Sequence, residues 1–140
     1  MLKRIFISTF VCVSMSSIVN GGELKTDMGM LAGSISALQI GFFTNDKQVT
    51  LDAAKTLRKH VKDFLGSEEK IKSLLPENLR YKSSIALNSA EMIDRNAAKI
   101  EKDLKDKNMR MIQRQMNTQR AFLDIQNQCF RCHNLVRDWK

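Results

Sequence analysis

The chain has 140 residues, with 23 Lys and Arg against 15 Asp and Glu and a formal net charge of +8. This length allows one domain with a hydrophobic core. The basic residues are mixed with acidic ones and do not cluster with aromatic residues, so we do not expect the chain to bind nucleic acid. The sequence contains no carboxylate cluster, nucleophile–base pair or phosphate-binding loop, so we do not expect an enzyme.

Residues 1–21 have the pattern of a cleavable signal peptide. The basic segment Met1-Leu2-Lys3-Arg4 precedes an apolar run, Ile5 to Val19, that is short for a membrane span. Cleavage is predicted after Asn20, Gly21 or Gly22; a leader of residues 1–21 leaves a domain of residues 22–140 without stable membrane association, and retention as an anchor is the alternative. Cleavage also removes Cys12, so the exported chain keeps two cysteines.

After the leader, apolar residues recur at steps of three and four, which indicates amphipathic helices. The first helix has an inward stripe of five residues, Met28, Leu31, Ile35, Leu38 and Phe42. It is predicted to end at residues 44–46. A second helix is predicted to begin with Thr50 as N-cap, to bury Leu51, Ala54, Leu57, Val61 and Phe64, and to end at Gly66.

The rest of the chain predicts two more helices. Pro76, the only proline, fits the first turn of a third helix. One helix from there to the C-terminus would be unusually long, so a break is predicted at the polar residues 105–108. The third helix should bury Ile85, Met92, Ile93, Ala97, Ile100 and Leu104, and the fourth Met109, Ile112, Met116 and Leu123. Four helices with short loops predict an all-α fold, an antiparallel up-and-down four-helix bundle.

The fourth helix carries Cys129-Phe130-Arg131-Cys132-His133, the C-x-x-C-H pattern of covalent haem attachment. On a helix the two thiols lie one turn apart on one face, where they can add to the two vinyl groups at one edge of the porphyrin. The adjacent His133 can then ligate the iron through its imidazole. Because c-type haem is attached outside the bacterial inner membrane, this motif agrees with the export signal and predicts a periplasmic protein.

Three other interpretations of the motif compete with haem attachment. A structural zinc site needs four Cys or His ligands, and the exported chain adds only the distant His60 to the motif. A thioredoxin-like redox pair needs a βαβ context, and no strand pattern occurs near the motif. The pattern can also arise by chance in an ordinary helix. For His60, between Lys59 and Lys62, we expect a surface position.

Across the whole exported chain, these features resemble the class II c-type cytochromes, meaning cytochrome c′ and its low-spin relatives. The resemblance rests on the helical bundle, the C-terminal position of the motif and a basic residue, Arg137, four positions after His133. It implies one haem c, bonded to Cys129 and Cys132, with His133 as proximal ligand. It also implies an Arg137–propionate pair, although Arg137 would equally suit the helix C-terminus.

In low-spin members of that family, a methionine from the first helix is the sixth ligand of the iron. Met28 shares the inward stripe and is preferred over Met30, which lies on its flank; plain core packing is the other role open to Met28. The resemblance then implies an electron carrier that meets redox partner proteins, and it leaves a homodimer open. The alternative is a five-coordinate protein that binds NO or CO, with Leu31 or Ile35 covering the distal face. A third interpretation is a haem-free helical module.

Overall fold

The computed structural model describes residues 20–136, and side chains from residue 22 to residue 134. Helix bounds are Asn20–Phe43 for α1, Lys47–Leu65 for α2, Glu68–Leu74 for α3, Ser83–Lys105 for α4 and Met111–Val136 for α5, with a 3₁₀ helix at Glu77–Lys82. No strand occurs in this part of the chain, so the predicted all-α class is confirmed. The predicted leader lies outside the described residues, except for Asn20 and Gly21.

The connection between α1 and α2 differs from the prediction in its N-cap. Thr50 lies inside α2, and Asp46 is the N-cap, because its carboxylate accepts hydrogen bonds from the backbone N–H groups of Gln48 and Val49. Asn45 has a φ of 53°, the left-handed conformation that ends helices, and the N–H of Asp46 donates to the Gly41 carbonyl at 2.9 Å. Asp46 therefore completes the end of α1 and also starts α2.

Gly41 allows α1 and α2 to approach each other closely. A Cβ atom at Gly41 would lie 2.8 Å from the Thr50 backbone nitrogen, and Thr50 is held in place by its own hydrogen bonds to the Asp46 carbonyl. We expect Gly41→Ala to lower the free energy of unfolding by about 1–3 kcal/mol, as overpacked cores do. Urea denaturation followed by circular dichroism measures the change.

Gly33 supplies the matched control for that substitution. It lies on the same helix, and nothing comes within 4 Å of a Cβ atom built there. Gly33→Ala should stabilise the protein by up to about 1 kcal/mol, because alanine has the higher helix propensity. Equal unfolding midpoints for the two alanine variants would contradict the close approach at Gly41.

The break between the third and fourth predicted helices is confirmed, since α4 ends at Lys105 and α5 begins at Met111. Arg114 closes this loop by donating from Nη2 to the carbonyls of Asp106 and Met109. The start of the third helix is different from the prediction. Pro76 precedes the 3₁₀ helix, and regular α-helix begins only at Ser83.

Each long helix packs against the next long helix in the chain: α1 on α2, α2 on α4, and α4 on α5. The pairs run antiparallel. From Gly41 beside Thr50, the contact between α1 and α2 moves back to Ser34 on α1 and forward to His60 on α2. On α2 and α4, Arg58 pairs with Glu101 and the later Lys62 with the earlier Asp94, and Cys132 late in α5 packs against the cluster that contains Ala86, early in α4. Between α2 and α4, Arg58 donates to Asp94 at 2.8 Å and to the buried Glu101 at 3.0 Å. These hydrogen bonds raise the pKa of the Arg58 guanidinium.

The core confirms the predicted inward faces of the first three long helices. On α1, Leu31 and Leu38 are buried, and Met28, Ile35 and Phe42 pack against them partly buried. The main cluster continues with residues of α2 and α4, namely Leu51, Ala54, Leu57, Val61, Ile93, Ala97, Ile100 and Leu104. Phe64, Ile85 and Met92 are half-buried.

The predicted inward face of α5 is wrong. Ile112, Met116 and Leu123 are 63%, 58% and 57% exposed, and Met109 lies half-buried before the helix begins. The buried residues are instead Thr118, Ala121 and Ile125, on nearly the opposite side of the helix. Small side chains at Thr118 and Ala121 let α5 lie close to α4, and the hydrophobic pattern alone does not reveal this requirement.

Among residues 20–136, no helix combines the length and the apolar character that a transmembrane span requires.

Candidate functional site

The C-x-x-C-H residues divide between two sides of α5 near its C-terminal end. Cys129 and Cys132 are half-buried: Cys129 packs against the main core, and Cys132 against the small cluster of Ile71, Leu75 and Ala86. His133 is half-buried as well. The two residues between the cysteines, Phe130 and Arg131, are exposed. The structure therefore brings both thiols to the inner side of the helix, as the spacing predicts.

The first and last long helices meet at one aromatic contact, from which their positions along the motif can be counted. Over the described residues, α1 and α5 do not pack closely along their length, and they meet where the rings of Phe42 and Phe122 lie 5.3 Å apart between centroids. Counting seven residues from this contact towards the motif, about 10 Å at a rise of about 1.5 Å per residue, leads to Cys129 on α5 and to Ile35 on α1. Four more residues reach His133 and Leu31, and Met28 lies about one turn beyond.

The two methionines of α1 occupy different environments. Met28 is half-buried and packs against the same core cluster as Cys129, whereas the Met30 side chain is 44% exposed. The predicted inward position of Met28 is confirmed, and its role as an iron ligand stays a prediction. Leu31, which directly follows Met30, is only 8% exposed and belongs to the core.

His60 is held between α1 and α2 and is not the surface residue that we predicted. Its Nδ1 lies 3.0 Å from Oγ of the buried Ser34, and its ring stacks on Phe64 with centroids 5.4 Å apart. Ser34 also donates to the Met30 carbonyl. Nothing in the sequence pairs Ser34 with His60, because the two residues belong to different helices and neither forms part of a motif.

The described side chains contain no group of three or more His, Cys, Asp or Glu residues placed to hold a metal ion. Arg137, the predicted propionate partner, lies outside the described residues, and its role stays a prediction.

Burial controls the acidity of both thiols. Desolvation raises the pKa of Cys129 to about 11, with a smaller contribution from the nearby Cys132, and burial also raises the pKa of Cys132. The thiolate is the nucleophilic form of cysteine, so at neutral pH these side chains react slowly while the protein is folded. The inner face of α5 thus keeps both sulfur atoms protonated and in an apolar environment.

This acidity predicts a slow thiol in the haem-free protein. At pH 8, a Cys129 pKa of about 11 should make alkylation by iodoacetamide on the order of a hundredfold slower than in urea, where the pKa is about 8.5. A Cys132→Ser variant removes the neighbouring thiol, and mass spectrometry then measures the rate at which Cys129 is alkylated. Equal rates with and without urea would show that the Cys129 thiol is not buried.

The same shift predicts how the stability of the haem-free protein depends on pH. The folded state favours the neutral thiol, so the stabilisation from Cys129 is complete below about pH 9 and is lost as the pH rises towards about 11. The urea midpoint should therefore fall more steeply over this interval in the parent protein than in a Cys129→Ser variant. Parallel curves for the two proteins would contradict the shift.

Comparisons of the chain with protein-family models, with curated proteins and with solved structures find no match.

The residues at this site suit a covalently bound haem. Two thiols one turn apart on a single helix face match the two vinyl groups at one porphyrin edge, and the neighbouring His133 offers an imidazole. On α1, Leu31 belongs to the main core cluster against which Cys129 packs, and Met28 and Ile35 pack against that same cluster. Neutral sulfur and nitrogen donors with apolar neighbours are the set that haem iron and the porphyrin faces require.

Proposed function

We propose that the chain is a periplasmic monohaem c-type cytochrome that exchanges electrons with redox partner proteins. The observation that carries the proposal is the inner position of both thiols, since Cys129 packs against the main core and Cys132 against the small cluster, next to the half-buried His133 at the end of α5. In this proposal, α1, α2, α4 and α5 form an up-and-down bundle, which the antiparallel packing of successive helices supports. The periplasmic location rests on the predicted signal peptide.

Each residue has a separate role in the proposed site. Cys129 and Cys132 would hold the haem edge, and His133 would bind the iron from α5. Met28 would offer its thioether from the opposite side, a neutral ligand that raises the reduction potential. A bound haem supplies the ferric/ferrous couple. Leu31 and Ile35 would exclude water, and Arg137 is proposed to pair with a propionate.

A second candidate is the five-coordinate protein that binds NO or CO. The buried side chain of Leu31, level with His133 along the antiparallel helices, favours this candidate. In that arrangement Leu31 would cover the distal face, and Met28 would only pack against the core. The two candidates share the thiol attachment and the proximal histidine, and they differ in whether α1 contributes a ligand.

Visible absorption of the exported protein, produced together with haem-attachment machinery, tests both candidates. We expect a sharp α band after reduction with dithionite, and we expect the spectrum to resist CO. A broad high-spin spectrum that shifts promptly with CO would favour the gas-binding protein. Absence of any haem spectrum would contradict both candidates and leave a haem-free helical module.

A further inference from the structure

The outward side of α5 carries an exposed apolar stripe. Ile112, Met116, Leu123 and Phe130 are 63%, 58%, 57% and 64% exposed. Their spacing of 4, 7 and 7 residues places all four within about 40° around the helix, so they form one row about 27 Å long. Single exposed apolar residues are common on protein surfaces, whereas several aligned on one side of a helix are typical of an interaction surface.

The two edges of this stripe differ in charge. One edge carries Arg120, which lies one turn from both Met116 and Leu123, and Arg131, next to Phe130; both arginines are exposed. The other edge carries three uncharged glutamines, Gln115, Gln119 and Gln126. Asp124, the one acidic residue within Met111–Val136, is exposed on the arginine edge one turn after Arg120, so that edge keeps a net charge of +1. We call the four apolar residues together with Arg120 and Arg131 the α5 outer face.

The size of the α5 outer face indicates a transient partner. With roughly 200 Å² for a fully exposed large side chain, the four apolar residues offer on the order of 500 Å². A partner of equal area would bring the total to about 1,000 Å², below the 1,200–2,000 Å² of stable complexes and within the range of weak electron-transfer encounters. Methionine, phenylalanine and arginine are also residue types that protein interfaces favour.

The α5 outer face also adjoins the candidate haem site. Phe130 and Arg131 lie within the C-x-x-C-H motif, and their exposed side chains point away from the half-buried Cys129 and Cys132. A protein seated on Phe130 would be separated from the two thiols only by the thickness of α5, about 10 Å. No large rearrangement of the fold is needed for a partner to reach this position.

We propose that the α5 outer face is the docking surface for an electron-transfer protein whose own contact patch is apolar with acidic residues at its rim. This proposal rests on the proposed cytochrome function. Arg120 and Arg131 attract the acidic rim and raise the association rate, and the apolar stripe forms the short-lived contact. Because the glutamine edge is uncharged, the partner's acidic rim is attracted only to the arginine edge, and this asymmetry orients the partner.

Stopped-flow reduction of the haem-loaded protein by reduced flavodoxin, an acidic flavoprotein used as the probe, tests this proposal. We expect the second-order rate constant to fall about tenfold or more for Leu123→Glu and for Arg120→Glu at low salt. Salt should slow the parent protein more than either variant, because the variants have lost the attraction. Tyr81→Glu is the matched control, since Tyr81 is 75% exposed on the 3₁₀ helix, and its rate should stay within about twofold of the parent rate.

Unchanged rates for both α5 variants would overturn the docking proposal. If the parent protein sediments as a dimer and Leu123→Glu dissociates it, the α5 outer face binds a second copy of the chain. If the parent protein binds phosphatidylglycerol vesicles and Leu123→Glu does not, the face binds a membrane. Either result would also overturn the docking proposal. The absorption spectrum separates the two proposals. If the parent protein lacks covalent haem, the proposed function fails, whereas a normal haem with unchanged variant rates removes only the docking surface.

Discussion

Replacing both Cys129 and Cys132 by alanine is expected to abolish covalent haem attachment completely. The two half-buried thiols are the groups on the inner face of α5 that can form thioether bonds, and the spacing of one helical turn fits the two vinyl groups. Each single alanine variant should keep at most one bond and accumulate to a lower level. The measurement is haem retained on the protein after extraction with acidified acetone, together with the intact mass.

Asn134→Ala is the matched control for these cysteine variants. Asn134 is exposed, directly follows His133 and lies on the same helix, so its replacement should leave attachment unchanged. Circular dichroism of each variant separates loss of attachment from loss of folding. Covalent haem in the double variant would show that other residues form the bond and would refute the assignment of this site.

Replacing Met28 is expected to convert a low-spin haem into a high-spin one. Met28→Leu nearly conserves the volume that packs against the core, so folding should be retained while the sulfur donor is lost. The reduced α band should broaden, and CO should bind promptly where the parent protein resists it. Visible absorption before and after CO addition measures both effects.

Met30→Leu provides the internal comparison, because Met30 lies on the same helix but is 44% exposed. Its spectrum should match that of the parent protein. If Met28 only fills the core, Met28→Leu will leave the spectrum unchanged and shift the unfolding midpoint slightly. A spectral change in the Met30 variant alone would identify Met30 as the ligand.

The hydrophobic pattern predicted the inward faces of α1, α2 and α4 because large apolar residues dominate those faces. Leu31, Leu38 and Leu57 are all buried, and Met28 follows the same stripe. The pattern failed on α5, where Ile112, Met116 and Leu123 point outward and the buried face combines Ile125 with the small side chains of Thr118 and Ala121. On such a helix, the distance to the neighbouring helix decides which residues are buried, and sequence periodicity does not contain that distance.

The candidate site was largely predictable because its residues lie within a short motif. Cys129 and Cys132 share the inner face that a helix requires of an i, i+3 pair. The environment of His60 was not predictable, since it depends on a hydrogen bond to Ser34 on another helix. The N-cap of α2 shows a similar limit. The predicted N-cap was Thr50, but the carboxylate of Asp46 caps the helix instead.

The packing of each long helix against the next one in the chain has a consequence for the order in which the protein folds and its cysteines become modified. Most contacts of α5 are to α4, with smaller ones to the 3₁₀ helix, to the Ile71–Leu75 cluster and to Phe42, so α1, α2 and α4 can remain paired while α5 separates from them. Opening of this last helix exposes the two cysteines and leaves most of the core intact, and such local openings require less free energy than global unfolding. If the chain carries haem as proposed, an attachment enzyme would reach Cys129 and Cys132 on a fold that is otherwise complete, and the return of α5 to its place would then enclose the haem.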